Sequence, residues 1–115
     1  MADPVKNFSY GTVLTAPSPA TSGTSLVLNS GQGALFPAPA TDGAFNLVIW
    51  PVNTQPTAAN AEIVRCTARS TDTLTIVRTR ESTSARTIIV GDQVCLAITA
   101  KTIQDLSPLA IQVFS

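Results

Sequence analysis

The sequence predicts an all-β fold: a small antiparallel sandwich or barrel built of hairpins, with extended terminal arms open to exchange between subunits. Three observations predict it. Sixteen threonines and ten serines stand among 115 residues. Threonine suits a pleated strand, and both hydroxyls weaken helix interiors by competing for backbone hydrogen bonds. Eight prolines and six glycines punctuate the chain at short intervals. No window of ten or more positions carries the 3.6-residue apolar repeat of an amphipathic helix. Short strand-like segments between turn formers are the pattern of a small sandwich or barrel.

Residues 1–10 read as a leader or arm whose large apolar groups are Val5, Phe8 and Tyr10. A β domain over residues 11–106 follows, and residues 107–115 read as a strand-like C-terminal arm. Within the domain, a first strand at 11–15 is stopped by Pro17 and Pro19, which remove backbone donors and restrict the residues before them. A second, at 24–28, ends in Asn29-Ser30-Gly31-Gln32-Gly33. Residues 36–39 read as an extended connector, because Pro37 and Pro39 forbid a central strand. Residues 45–50 form a buried strand closed by Pro51, and 53–59 a polar loop.

The strongest hairpin pairs 61–69 with 73–78 around Ser70-Thr71-Asp72. In its first strand Glu62, Val64, Cys66 and Ala68 share one face, and Ile63, Arg65, Thr67 and Arg69 the other. A charged, hydroxyl-rich loop spans 80–86. Residues 87–90 and 93–99 then read as a second hairpin around Gly91-Asp92. One or two helical turns are expected over 100–106, ending at Ser107-Pro108.

Seven basic and seven acidic side chains give zero net charge, and 12% of residues are charged. That balance argues against nucleic acid and anionic membrane as partners, since both demand clustered positive charge. No apolar run is long enough to span a bilayer, and the first residues lack a basic flank followed by an apolar stretch. Histidine is absent, which removes the commonest general base and a common metal ligand together. Gly31-Gln32-Gly33 lacks the third glycine, the following helix and the lysine of a phosphate loop, so it reads as a turn. The carboxylates are scattered, and none are spaced as a calcium loop requires. The sequence therefore offers no cofactor- or metal-binding set and no catalytic constellation, and the expectation is a chain that is not an enzyme.

Cys66 and Cys95 are too few for a disulfide framework and lie in apolar stretches. They read as buried reduced thiols, with a cross-strand disulfide as the alternative. Arg65, Arg69, Arg78, Arg80 and Arg86 form the one basic concentration. Arg65 and Arg69 share a strand face, as do Arg78 and Arg80. No aromatics interleave with them to stack bases. They read either as a solvated face paired with carboxylates such as Glu62 and Glu81, or as bidentate contacts to a neighbouring subunit. In the tail, Leu109, Ile111 and Val113 alternate with Ala110 and Gln112 before Phe114. Such a segment requires burial in its own core or against a partner, and Phe8 and Tyr10 in the leader pose the same question.

Several strings resemble a known group. Gly11-Thr12-Val13-Leu14-Thr15-Ala16-Pro17-Ser18-Pro19 and the residues up to Leu26 open the match. Phe45-Asn46 with Trp50-Pro51, Asn60-Ala61-Glu62-Ile63-Val64-Arg65 and Thr71-Asp72-Thr73-Leu74-Thr75-Ile76 with Arg78 follow in order. Thr83-Ser84-Ala85-Arg86, Val90-Gly91-Asp92-Gln93-Val94 and Ile98-Thr99-Ala100-Lys101-Thr102 complete it. Over roughly residues 10–106 the chain resembles short β-rich structural proteins of phage and prophage virions. In that group the module occurs alone or at the start of longer, tail-fibre-like chains.

The resemblance implies a non-enzymatic virion component. Read as stopping at Ser115, the chain carries no fibre, collagen-like repeat or receptor-binding domain. This favours a capsid cement, or decoration, protein on the outer capsid surface, trimeric at threefold positions. Its partners would then be the major capsid protein and copies of itself. The alternative is a tail or baseplate component, such as a tail-fibre adaptor. Deleting residues 108–115 is expected to abolish particle binding or oligomerisation while leaving the hairpins folded; unchanged particle occupancy and assembly would refute the exchanged arm.

Overall fold

Runs of β-branched and aliphatic residues with period-two burial set six strands in the computed structural model, which describes residues 3–105. They are β1 Tyr10–Thr15, β2 Ser25–Leu28, β3 Phe45–Trp50, β4 Glu62–Ser70, β5 Thr73–Arg80 and β6 Gln93–Cys95. All pairings are antiparallel, and the strands close into a barrel in the order β1-β2-β5-β4-β3-β6. The expectation of an all-β antiparallel fold holds, in its barrel form. β3, β4 and β5 are successive neighbours, with β6 returning beside β3 and β2 lying beside β5. The barrel is thus two overlapping Greek keys.

The inward face is continuous around the barrel. Val13, Leu26, Leu28, Leu47, Ile49, Val64, Cys66, Leu74, Ile76 and Val94 are buried there, joined by Phe45 at the start of β3. Phe36 and Ile88, from connecting segments, complete the core. Phe36 stacks on Phe45 with ring centroids 6.3 Å apart and planes inclined by 8°. Fully burying side chains of this kind contributes roughly 1.5–3 kcal/mol each.

Two bulges break the hairpin of β4 and β5. Between the pairs Ile63↔Arg80 and Arg65↔Val77, β5 carries one extra residue. Between Cys66↔Ile76 and Ala68↔Thr75 the extra residue is in β4. Past Cys66 the strict alternation expected for β4 is therefore lost, and Thr67 and Ala68 are both exposed. The bulge in β5 places Thr79 at φ 53°, a left-handed conformation that a β-branched residue adopts only under constraint.

The expected second hairpin does not form. Residues 87–90 are not a strand, because β6 has both edges occupied, by β1 on one side and β3 on the other. Residues 87–90 instead run beside β1 and the segment before β2: the Ile88 N–H donates to the Ala20 carbonyl, and the Gly91 N–H to that of Val13. The connector at 36–39 also differs from expectation. A 3-10 turn, Gly33–Leu35, precedes it, and one helical turn, α1 Pro39–Asp42, begins at its last residue. Pro39 suits the first helical position, where its missing N–H costs nothing, and the Asp42 carboxylate accepts the Ala38 N–H. Residues 100–105 are helical, as expected up to the last described residue. The arm at 107–115 lies outside the described residues.

The turn at 29–33 is held from both sides of β2, by β1 and by the turn leading into β5. Asp72 accepts the Gly31 and Gly33 N–H groups at 3.1 and 2.8 Å, and the Thr12 N–H donates to Gln32 Oε1 at 2.7 Å. A Cβ on Gly33 would lie 1.9 Å from the Thr71 carbonyl oxygen, whereas one on Gly31 would meet nothing. Gly33→Ala is therefore expected to cost about 3 kcal/mol through forced backbone movement. Gly31→Ala, at φ +86°, should cost only about 1–2 kcal/mol of left-handed strain. Urea unfolding of the two variants checks this; equal losses would refute the close approach.

Candidate functional site

Alternation places Glu62 in phase with Val64 and Cys66, and Arg78 in phase with Leu74 and Ile76, so both charges point into the barrel. Glu62 is fully buried, and the Arg78 side chain is 8% exposed. Their contact is bidentate: Arg78 Nε and an NH2 proton donate to the two carboxylate oxygens at 2.8 Å each. The Thr79 and Arg86 N–H groups donate to the same carboxylate, also at 2.8 Å. Arg78 further donates to the carbonyls of Ala20, Gly23 and Arg86. The strained Thr79 therefore delivers one of the four hydrogen bonds that satisfy Glu62. Burial would raise the Glu62 carboxyl pKa; the bonds from Arg78, Arg86 and Thr79 outweigh it and hold the group below its ordinary range.

Beside this pair, Arg86 grips Asp92 through Nε and NH2 at 2.9 and 2.8 Å. Asp92 is 1% exposed and also accepts the Ile89 N–H. Both ion pairs are saturated by hydrogen bonds from the chain itself, which suits them to closing the barrel rather than to reaction.

Three of the five arginines singled out in the sequence thus spend their charge internally or on a terminal segment. Arg78 is neither solvated nor available to a neighbouring subunit, contrary to the two readings of the arginine group, because the β4–β5 register turns it inward. It does not share a face with Arg80 either: the left-handed Thr79 between them reverses the alternation and leaves Arg80 exposed. Arg65 lies on the outer face of β4, where NH1 and NH2 meet the Asp3 carboxylate at 2.9 and 3.1 Å. Arg69, further along β4, donates to the Thr71 carbonyl, and Arg80 donates to that of Arg78.

Asp3 also accepts from Lys101, which reaches Asp105 as well. The leader is thereby clamped to β4 and to the helical segment at 100–105. Burial pushes the Asp3 carboxyl upward, but hydrogen bonds from Arg65 and Lys101 bring it below its usual range. Glu81 supports the same clamp, accepting from Asn46 Nδ2 and from the Lys101 N–H at 2.8 Å each.

The apolar residues of the leader behave differently. Phe8 sits at φ 61° and is 83% exposed. Its neighbour Ser9 is buried, with Oγ 2.9 and 2.7 Å from the Lys6 and Leu35 carbonyl oxygens, and its own carbonyl accepts the Leu96 N–H. Holding Ser9 inward leaves Phe8 projecting. Tyr10, the first residue of β1, is exposed, as are Val5, Ile98 and Ile103. Val5, Phe8, Tyr10, Leu96, Ile98 and Thr102 line a groove of about 550 Å³. On the other side of residues 96–99 a second hollow of about 400 Å³ is bounded by Val48, Trp50, Ile63, Cys95 and Ile98. Of the predicted site residues, Phe8 and Tyr10 are thus brought together, whereas the arginines are dispersed. Leu109, Ile111, Val113 and Phe114 lie outside the described residues.

Both cysteines are free thiols. Burial pushes the Cys66 thiol up to about 11 and raises that of Cys95, so both stay protonated and weakly nucleophilic at neutral pH. Among the described residues no three His, Cys, Asp or Glu side chains are grouped as a metal site would need. No helix among them is long and apolar enough to cross a membrane. Compared with known proteins, the chain matches no protein-family model and no curated protein.

Sequence reasoning missed Asp3, Asp92, Lys101 and Ile98 as parts of these features. For Glu62 and Arg78 a signal was present: each falls in phase with buried aliphatic neighbours. For Ile98 none was, since an isoleucine following a strand looks the same whether it continues the core or faces water.

Removing one partner of the buried pair leaves the other charged and unsatisfied. Glu62→Gln is expected to cost about 3–5 kcal/mol, and Glu62→Met with Arg78→Met together distinctly less. Because the folded pKa of Glu62 is lowered, its contribution is fully present above the ordinary glutamate value of 4.5 and is lost as pH falls through the folded value. Asp3 and Glu81, also lowered, act with the same sign. Urea midpoints of the unmodified chain should fall as pH drops below about 4.5; a midpoint flat from pH 6 to 3 would contradict the pairing.

Proposed function

We propose that this chain is a non-enzymatic structural component of a phage particle. The reading is a capsid cement, or decoration, protein on the outer capsid surface, contacting the major capsid protein and copies of itself, with three copies to an assembly. The observation that carries this reading is the pairing of a filled, ion-pinned barrel with apolar side chains left outside it. Val13, Leu47, Ile76 and their neighbours complete a core without Phe8, Tyr10 or Ile98. Exposed large apolar residues rimmed by polar groups mark interaction surfaces.

Charge supports the same reading. Arg65, Arg78 and Arg86 are committed to Asp3, Glu62 and Asp92, which leaves little cationic surface for nucleic acid. With zero net charge, copies approach one another without long-range repulsion. The resemblance over residues 10–106 supplies the particle. A cement protein holds capsomers together by buried area across their junctions, and a compact barrel with projecting apolar side chains supplies such area. The Leu109, Ile111, Val113 and Phe114 segment adds to the contact in this reading.

The copy number per purified virion, relative to the major capsid protein, tests it. Near-parity by quantitative mass spectrometry is the expected result. A small fraction would move the chain to the tail or baseplate, and absence from particles would overturn the virion reading altogether.

A further inference from the structure

Among the features outside the buried ion pairs, the groove between the leader and residues 96–102 goes furthest. Its walls are Val5, Phe8 and Tyr10 on one side and Leu96, Ile98 and Thr102 on the other. At about 550 Å³ it falls within the range of clefts that hold a ligand or a short peptide. Leu96 and Ser9 are joined by a hydrogen bond in its lining, and the Lys101–Asp3 ion pair ties the leader to the helical segment beyond it. Among the described residues the one charged side chain lining it, Lys6, is turned to the Ala34 carbonyl at 2.9 Å. Such a groove suits an uncharged apolar segment.

The chain itself contains one. Residues 106–115 carry no charged side chain and include Leu106, Leu109, Ile111, Val113 and Phe114. They follow directly on Asp105, which shares the Lys101 ammonium with Asp3, two residues from Val5 in the groove wall. The sequence of that segment matches the apolar lining of the groove. Phe8 decides whose segment is received. Its left-handed backbone holds the ring out from the barrel, and strain of that kind, roughly 1–3 kcal/mol, persists where the surroundings enforce it for use. A projecting ring reaches beyond its own copy.

We propose that this groove receives residues 106–115 of a second copy of the chain. The inference rests on the self-association in the reading above and names its means. Donor segment and acceptor groove are different patches, so the contact is heterologous: each copy gives to the next, and three copies can close a ring.

Two variants of the full-length chain test it. Ile98→Asp spoils the groove and leaves the segment; Ile111→Asp with Val113→Asp spoils the segment and leaves the groove. Sedimentation velocity should show the unmodified chain associating with concentration, and each variant alone weakened at least tenfold. An equimolar mixture should form a pair that grows no further, because it retains one sound donor and one sound acceptor. Should Ile98→Asp lose its far-ultraviolet β signal, Phe8→Ser takes its place.

Association of either variant like the unmodified chain would overturn the proposal. So would variants that stay single when mixed, or an unmodified chain monomeric at high concentration, as docking in its own groove would give. These results concern the purified chain, so they stand apart from the virion copy number: the groove can fail while the particle reading holds, and the reverse.

Discussion

The Glu62–Arg78 pair is the contact on which the rest of the barrel depends. It joins β4 to β5 inside the core, accepts the Thr79 N–H of β5, and collects the connecting segments through backbone groups of Ala20, Gly23 and Arg86. Four hydrogen bonds to one carboxylate offset the large desolvation of a buried anion. The geometry is demanding: Thr79, in the β5 bulge, presents its N–H from a left-handed backbone. An aliphatic pair of similar volume would fill the space without fixing where the connections run. In this fold the ionic pair sets the path of long loops that contribute few apolar side chains of their own.

The same arrangement divides the charges of the molecule into those that organise it and those that face outward. Asp92 holds Arg86 beside the buried pair, and Asp3 holds Arg65 and Lys101 on the outer surface. Among the described residues, Lys6, Arg69 and Arg80 are the basic side chains left outside these ion pairs. Phe8, Tyr10 and Ile98 are among the large apolar side chains exposed on the outer surface.

Much of the fold was legible because period-two burial is a local property. The first three strands and the central hairpin could be read from runs such as Phe45–Trp50, bounded by proline or turn residues. The missing second hairpin was not legible, since whether 87–90 pairs with β6 depends on β6 already lying between β1 and β3, a fact of closure and not of sequence spacing. The arginine cluster misled for a related reason. Spacing along a strand assigned Arg78 and Arg80 to one face, and a single left-handed residue separated them. For Phe8 the sequence left burial in its own core and burial against a partner both open, and its counterpart across the groove, Ile98, depends on where the chain travels after its last strand.

Closure rests on a short seam. β6 contributes three paired residues to β1 and three to β3, against six pairs between β4 and β5. Tension applied through the segment after β6 would bear first on this narrow strip, peeling it from its neighbours. The Asp3–Lys101 contact bridges that strip, because Asp3 precedes β1 and Lys101 follows β6. A pull on the helical segment is therefore shared with the leader, and the clamp works as a rivet across the line where the barrel would otherwise unzip. For a molecule that takes load through its ends, the surface ion pair matters less as a source of equilibrium stability than as the part that sets which bonds are strained first.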